Sequence, residues 1–226
     1  MYNVASLLAT KKPSDVRDTT EKEIDEVKAR ESGMPDEEYW STFFDPVCVL
    51  NELGCKGAID VLEFGCGYGN FTTAAARLIS GTVFTNDIDR SMVKRTVHHA
   101  REQGLQNISA EVRDFSISGS GRPGDSIDFV MLFNILHIEN PRDLLREAYR
   151  VLKPTGKLGV IHWKWEKTTP RGPSMEVRPK AEQCRFWAEE EGFGFERFVE
   201  FACCSWHWGM VLGKQPNKEC NSNAAS

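Results

Sequence analysis

A glycine-rich stretch, VLEFGCGYGNF, carries the clearest chemical signal in the sequence. Its glycines, Gly65, Gly67 and Gly69, have G-x-G-x-G spacing. A dinucleotide loop has G-x-G-x-x-G spacing and meets a pyrophosphate at a helix N-terminus, and Asn70 stands where that pattern requires its third glycine. Glu63 lies two residues before the first glycine, where a carboxylate would repel a pyrophosphate and attract an ammonium group. The stretch therefore predicts a ligand that carries an amine, and argues against NAD.

Two further carboxylates follow at the ends of predicted strands. Asp87 ends the strand GTVFTND, at a position that accepts hydrogen bonds from ribose hydroxyls in nucleotide-binding folds. Asp114 ends the next strand, in EVRDF, where a carboxylate can accept from an exocyclic amine such as that of adenine. Each aspartate could instead cap the helix that follows it. The three acids together predict a ligand with an amine, a ribose and an adenine, but without phosphate.

The elements that must hold these residues alternate between strand and helix. Short apolar runs such as AIDVLEF and SIDFVMLFNIL predict buried strands, and NFTTAAARLIS and DRSMVKRTVHHAREQG predict the helices between them. Continuous apolar runs are typical of strands that are covered on both faces. We therefore expect an α/β fold with a Rossmann-like open, mostly parallel sheet of about seven strands, the last one antiparallel, and helices on both faces.

Composition divides the chain into three predicted parts. Residues 1–38 are charged and predict a helical or partly disordered extension; residues 39–214 predict the folded domain, and residues 215–226 a flexible tail. The chain has 28 Lys and Arg against 33 Asp and Glu, a net charge of −5, so we expect no nucleic acid partner. No apolar run approaches the ~20 residues of a membrane helix, and we expect no membrane association. The N-terminus is a poor secretory signal.

Five stretches in order resemble the class I S-adenosylmethionine-dependent methyltransferases, and more narrowly the branch that includes ubiquinone and menaquinone methyltransferases. They are VLEFGCGYGNF, FTNDID, VRDF, IDFVMLFNILH and EAYRVLKPTGKLGV, and the resemblance covers residues 59–163. It implies S-adenosyl-L-methionine as the cofactor, with the glycine loop around its methionine part. The cofactor-binding residues that it implies are Glu63, Gly65, Cys66, Gly67, Gly69, Asp87, Ile88, Asp114, Phe115 and Asn134. Cys66 is more typical of a small apolar filler than of a nucleophile.

Methyl transfer from a sulfonium is an in-line displacement, so the protein must mainly align donor and acceptor and exclude water. We expect a small-molecule acceptor to bind above the carboxyl ends of the fourth and fifth strands. His162 and, more weakly, His137 are candidate catalytic bases there, needed only if the acceptor loses a proton during attack. Trp163 is a candidate for an aromatic wall, and no metal is expected.

The loop TTPRGPSMEVRP, which follows the fifth strand, supplies two candidate substrate residues. Arg171 and Arg178 could bind a carboxylate or another oxyanion of the acceptor, although solvated surface charge is an equal alternative. His207, in CCSWHWGMVLG, is a weaker candidate substrate contact. The acceptor atom and the oligomeric state cannot be read from the sequence.

Other functions of the same fold stay open. The seven cysteines are scattered and include no C-x-x-C spacing, so we expect reduced thiols in a cytoplasmic protein and not a disulfide framework. Arsenic methyltransferases share the fold, and the adjacent Cys203 and Cys204 keep an arsenite or thiol substrate as an alternative. A protein methyltransferase and a non-catalytic S-adenosylmethionine-binding regulator are two further alternatives.

Overall fold

The computed structural model of the protein describes residues 34–216. Seven strands form one sheet in the order β3-β2-β1-β4-β5-β7-β6. The first five strands run parallel, and β7 is antiparallel to both β5 and β6. The strands are β1 Val61–Phe64, β2 Val83–Asp87, β3 Ile108–Val112, β4 Ile127–Phe133, β5 Leu152–Trp163, β6 Phe193–Glu200 and β7 His207–Lys214. This architecture confirms the predicted open, mostly parallel sheet with an antiparallel last strand.

Helices cover both faces of the sheet, as continuous apolar strands require. All four residues of β1 are buried, and so are six of the seven residues of β4. One hydrophobic cluster lies on the side of α2 and α3, and a second lies on the side of α6 and α7. The helices are α1 Glu37–Ser41, α2 Pro46–Leu53, α3 Asn70–Leu78, α4 Arg90–Glu102, α5 Phe115–Ser118, α6 Pro141–Val151 and α7 Ala181–Glu190.

The aromatic stretch before β1 forms two helices with a break before Pro46. Asp45 caps α2 by accepting a hydrogen bond from the Cys48 backbone N–H, and Pro46 occupies the first turn, where its missing N–H costs nothing. Asp36 caps α1 in the same way. The short helix α1 spans residue 38, and the domain boundary drawn there from composition stays a prediction.

The sequence predicts a helix that ends near the Pro-Thr-Gly segment at residues 154–156, followed by the fifth strand KLGVIHWKW at residues 157–165. The observed β5 differs from this prediction in length. It begins at Leu152, directly after α6, and ends at Trp163, so Trp165 lies beyond it and is 47% exposed. Trp163, by contrast, is buried. The Pro-Thr-Gly turn suggested a helix end there, but the backbone had already become extended at Leu152.

The cysteine prediction was wrong for one pair. Cys48 in α2 is disulfide-bonded to Cys203, in the turn between β6 and β7, and the two residues are 155 positions apart. Cys55, Cys66, Cys184 and Cys204 are free and buried. Because Cys203 is bonded to Cys48 and the Cys204 thiol lies in the core, the adjacent cysteines do not form an exposed dithiol for arsenite. Within residues 34–216, no helix is long and apolar enough to span a membrane.

Candidate functional site

The glycine loop joins β1 to α3 at the carboxyl edge of the sheet. Gly65, Gly67 and Gly69 all have left-handed φ angles, from 50° to 82°. A Cβ on Gly69 would lie 2.8 Å from Thr96 Oγ1 and 3.1 Å from the Thr96 Cα, so a side chain would collide with α4. The spacing of these glycines thus reflects a tight turn that packs directly against a neighbouring helix.

Glu63 lies beneath this loop and is only 3% exposed. The strand register pairs Glu63 with Thr85 of β2, whose hydroxyl donates to the carboxylate at 3.0 Å, and Thr72 of α3 donates to the same oxygen. Burial raises the pKa of Glu63 to about 8, although both hydroxyl hydrogen bonds act to lower it. The carboxyl group holds β1, β2 and α3 together. Its contact with the ammonium group of a ligand stays a prediction.

Asp87 links the end of β2 to the glycine loop. Its Oδ2 accepts a hydrogen bond from the Gly67 backbone N–H at 3.0 Å and lies 3.9 Å from the Cys66 thiol, while Oδ1 accepts from the Asp89 backbone at 2.9 Å. Cys66 is buried, and burial raises the pKa of its thiol far above the usual range. These contacts fit Cys66 as a filler and hold Asp87 at the carboxyl edge of the sheet beside the glycine loop, a place here called the crevice. The contact of Asp87 with a ribose stays a prediction. Ile88, next to it, is 51% exposed, an apolar surface that an adenine ring would cover.

Asp114 forms the helix cap that was one of the two alternatives for it. Oδ1 caps the short helix α5 by accepting from the Ser116 backbone N–H at 3.0 Å and from the Ser116 hydroxyl. Phe115 packs edge-on against Phe64 with ring centroids 5.4 Å apart, which fixes the start of α5. The capping geometry holds Asp114 in place, and its contact with an adenine amine stays a prediction.

Asn134, which follows β4, has an unusual backbone conformation and a buried side-chain amide. Its φ is +54°, a left-handed conformation that non-glycine residues seldom adopt. Its amide oxygen and nitrogen are both buried, and neither has a hydrogen-bond partner in the described part of the chain. The Asn134 N–H donates to Ile161 at 2.8 Å, and a Cβ on Gly65 would meet the next side chain, Ile135, at 3.2 Å. An unsatisfied amide thus lies where the loop after β4 approaches the glycine loop.

The two candidate catalytic histidines are brought together. His162 Nε2 lies 3.4 Å from His137 Nδ1, and their rings meet edge-on. His162 is fully buried, and burial, together with the His137 nearby, lowers its pKa well below the usual range. His162 is therefore neutral, and it can orient the half-buried His137 beside the crevice.

Arg178 donates hydrogen bonds to its own loop, and its contact with a substrate stays a prediction. Its buried guanidinium donates to the carbonyls of Lys164, Glu166, Arg171 and Pro173 and to the Thr169 hydroxyl, at 2.6–3.3 Å. These six contacts engage all five N–H donors of the guanidinium, since three acceptors share the two hydrogens of Nη1. Arg178 is thus the residue that shapes the loop after β5.

Arg171, in contrast, is exposed in that loop. It borders an open groove of about 440 Å³ whose lining also includes Lys167, Thr169 and Ser174. Gly172, at the same rim, lies against the Trp163 ring, so the groove adjoins the end of β5. A cationic side chain next to hydroxyl groups offers hydrogen-bond donors to an anionic group. The Arg171 contact stays a prediction.

Trp163 and His207 are cross-strand neighbours inside the core. Their ring centroids are 4.1 Å apart, and His207 also packs against Phe44 at 4.6 Å. Burial lowers the pKa of His207 to about 3, so the imidazole is neutral. Phe43 covers Trp163 from the other side at 5.1 Å. Both residues can therefore touch an acceptor only if the segment that carries Phe43 and Phe44 moves, and their substrate roles stay predictions.

Comparison with known proteins decides what this arrangement is. Residues 61–156 match the family model described as a methyltransferase domain. A crystal structure of a SAM-dependent methyltransferase from Aquifex aeolicus superposes with a TM-score of 0.67 at 25% identity, covering 90% of this chain and 98% of the other. The chain therefore contains a methyltransferase domain at residues 61–156 and is similar in fold to S-adenosylmethionine-dependent methyltransferases. S-adenosylmethionine is accordingly the cofactor that the fold and the family imply.

Curated relatives extend the likeness over part of their length only. The demethylmenaquinone methyltransferase of Lactobacillus johnsonii is 28% identical over 131 residues, which are 57% of this chain and 52% of that protein. The nocamycin O-methyltransferase of Saccharothrix syringae is 32% identical over 124 residues, 52% of this chain and 43% of that protein. The chain spans about half the length of these relatives, or less.

Sequence reasoning missed several partners of the site. Thr72 and Thr85 hold Glu63, yet each is an ordinary residue of its helix or strand, and only strand register reveals the contact. Tyr68, inside the glycine stretch, donates its hydroxyl hydrogen to the Pro35 carbonyl at 3.0 Å. An aromatic residue between two loop glycines was a visible signal for such a contact. Among residues 34–216, no cluster of metal-ligating side chains is present; the absence of a metal stays a prediction.

Proposed function

We propose that this chain transfers a methyl group from S-adenosylmethionine to a small-molecule acceptor. The single observation that carries the proposal is the buried amide of Asn134, which lies where the loop after β4 approaches the glycine loop. Asp87 is hydrogen-bonded to the glycine loop there, and Asn134 presents a buried amide without a partner among residues 34–216. Buried amides in native proteins are nearly always satisfied, so this one supports a ligand that completes the site.

The residues of the crevice fit the parts of the proposed cofactor. Asp87 would accept hydrogen bonds from the ribose hydroxyls, and the exposed Ile88 would pack on the adenine ring. Asp114 would accept a hydrogen bond from the adenine amine. Asn134 and the glycine loop would hold the methionine end. When bound, the cofactor supplies a sulfonium methyl group that is open to attack by a nucleophile.

We further propose that His137 accepts the proton of the acceptor and that His162 orients it. The 3.4 Å contact between the two rings and the neutral state of His162 support this assignment. A neutral imidazole can take up a proton near neutral pH, which suits a hydroxyl or other protonated acceptor. His137→Gln should lower kcat and change its pH profile while the affinity for S-adenosylhomocysteine stays constant. His98→Gln, on the exposed face of α4, is the control and should change neither quantity.

The acceptor is proposed to carry an anionic group that binds in the groove beside Arg171. The exposed guanidinium and the adjoining Lys167 support this assignment, because both cations border the same open groove. Arg171→Ala should raise the KM for the acceptor without changing the affinity for S-adenosylhomocysteine. An unchanged acceptor KM would remove Arg171 from the site.

The function is tested by incubating the protein with S-adenosylmethionine that is isotopically labelled in its methyl group and a panel of quinones, phenols, sterols and small carboxylic acids. Mass spectrometry should find the label in one acceptor class. The same transfer should fall at least about 10-fold with Asp87→Ala, because the variant loses charge-assisted hydrogen bonds to the donor. Binding of the donor without transfer to any acceptor, or to protein, would favour the regulatory alternative.

The cytoplasm remains the proposed compartment. The four free cysteines of the described chain, all buried, support a reducing environment. Disulfides that form in reducing compartments are usually transient or redox-sensing, and the Cys48–Cys203 bond would be of that kind.

A further inference from the structure

The segment from Pro35 to Cys48, here called the N-terminal strap, crosses the molecule between two fixed points. At one end, the Pro35 carbonyl accepts from Tyr68 of the glycine loop at 3.0 Å. Glu37 pairs there with Arg95, and its other oxygen lies 3.4 Å from His99 Nε2 on α4. The strap therefore touches the proposed donor loop directly.

The other end of the strap is fixed to the β6–β7 turn. Cys48 is disulfide-bonded to Cys203. The next residue, Cys204, donates its thiol hydrogen to the Phe43 carbonyl at 3.2 Å, and its sulfur lies 3.0 Å from His207 Nδ1. A covalent bond and a hydrogen bond thus join the same two segments.

Between these points the strap closes an aromatic cluster that continues to the crevice. Phe43 packs on Trp163 at 5.1 Å, and Phe44 packs on Phe71 at 5.2 Å. Phe71, in the first turn of α3, packs in turn on Phe133 at 4.9 Å, the residue directly before Asn134. The strap therefore covers a series of aromatic rings that leads to Asn134.

We propose that the Cys48–Cys203 disulfide is a redox-controlled clamp that keeps the N-terminal strap closed over the acceptor side of the site, and that its reduction releases the strap. This inference rests on the proposed function for its consequence, acceptor access, but not for the motion itself. Both cysteines are partly exposed, so a reductant can reach the sulfurs.

The reduction balances with a dithiol as the electron donor. A thiolate of the dithiol attacks one sulfur of the pair, forms a mixed disulfide and releases the other cysteine as a thiol. The second thiol of the reductant then closes its own disulfide and frees the second cysteine, so two electrons and two protons pass to the protein. Burial raises the pKa of the Cys204 thiol to about 12, so it stays protonated and does not attack the neighbouring bond.

Hydrogen–deuterium exchange on the full chain, oxidised and after treatment with dithiothreitol, tests the clamp. Peptide mapping without reductant should first find Cys48 cross-linked to Cys203. Reduction should then speed amide exchange in residues 37–48 at least about 10-fold, because a local opening becomes more populated. The reference peptide 127–133, from β4, should not change.

Two variants complete the experiment. A Cys48→Ser/Cys203→Ser double variant should exchange like the reduced protein with or without dithiothreitol. Cys184→Ala, a buried cysteine in the cluster on the other face of the sheet, should respond to dithiothreitol as the wild type does. Equal exchange of residues 37–48 in both states would overturn the clamp. Faster exchange that includes peptide 127–133 would also overturn it, since that result indicates a bond that only stabilises the whole domain.

Donor binding separates the two proposals. S-adenosylhomocysteine should bind both redox states, while acceptor kcat/KM should rise on reduction. A protein that opens on reduction but binds no S-adenosylhomocysteine in either state would keep the clamp and refute the methyltransferase function. Unchanged kcat/KM in a protein whose strap opens would refute control of acceptor access.

Discussion

Replacing Asn134 with glycine should make the free protein more stable and its donor binding weaker. Each unsatisfied buried polar atom costs about 1–3 kcal/mol, and the variant removes two of them. Glycine also adopts the left-handed φ of this position without strain. Lost packing and the greater freedom of glycine in the unfolded chain each offset about 0.5–1 kcal/mol. The two atoms together are worth about 2–6 kcal/mol and the two offsets about 1–2 kcal/mol, so the net expectation is a gain of about 0–5 kcal/mol. Each kcal/mol corresponds to roughly 2–4 °C in Tm.

The same variant should bind S-adenosylhomocysteine about 5- to 150-fold more weakly, which corresponds to a loss of about 1–3 kcal/mol of hydrogen bonding. Differential scanning calorimetry measures the first effect, and titration calorimetry measures the second. Asp125→Gly is the matched control, because Asp125 has nearly the same φ, +53°, in an exposed turn. It loses only an exposed ion pair with Lys214, worth about 0–1 kcal/mol, and should bind the ligand normally. An Asn134→Gly variant that is less stable than the wild type, or that binds S-adenosylhomocysteine as tightly as the wild type, would refute the reasoning.

Three further substitutions test other parts of the site. Burial raises the pKa of Glu63 to about 8 from 4.5. Between these two pH values the folded state keeps a proton that the unfolded state loses, so the free energy of unfolding should fall as pH rises. Urea unfolding at pH 5.5, 6.5 and 7.5 should show a decline of up to about 1.4 kcal/mol per pH unit that Glu63→Gln lacks; parallel profiles would contradict the buried carboxyl. Arg178→Ala should lower the free energy of unfolding by about 2–4 kcal/mol, because it leaves several loop carbonyls unpaired. It should also speed proteolysis in the loop after β5, while donor affinity stays constant. An unaltered cleavage rate would show that the guanidinium does not hold the loop. Gly69→Ala should destabilise the protein more than Gly104→Ala. Both glycines have a left-handed φ, but only a Cβ at position 69 would lie against Thr96. Equal decreases in Tm for the two variants would mean that backbone strain alone matters.

Much of the fold could be predicted because it depends on local patterns. The apolar runs that became β1 and β4 are continuous, and strands of that kind lie buried between two helical layers. The glycine loop was equally readable, since tight turns need glycine at fixed positions. The strand-terminal position of Asp87 followed from the alternation of strands and helices.

The contacts that sequence reasoning missed join distant parts of the chain. Arg178 looked like a surface cation in a polar loop, and only the folded loop reveals that its donors meet backbone carbonyls. Cys48 and Cys203 are 155 positions apart, so nothing local marks them as a pair. The burial of His207 depends in the same way on Phe44, which arrives from the N-terminal side of the domain.

Titration calorimetry with S-adenosylhomocysteine tests the central claim, a donor site built around the glycine loop and Asp87, most directly. The wild-type protein should bind one S-adenosylhomocysteine per chain and should not bind NADH. Asp87→Ala should bind at least about 10-fold more weakly, because it loses charge-assisted hydrogen bonds to the ribose. A folded wild-type protein that binds no S-adenosylhomocysteine, or an Asp87→Ala variant that binds it as tightly as wild type, would contradict the account.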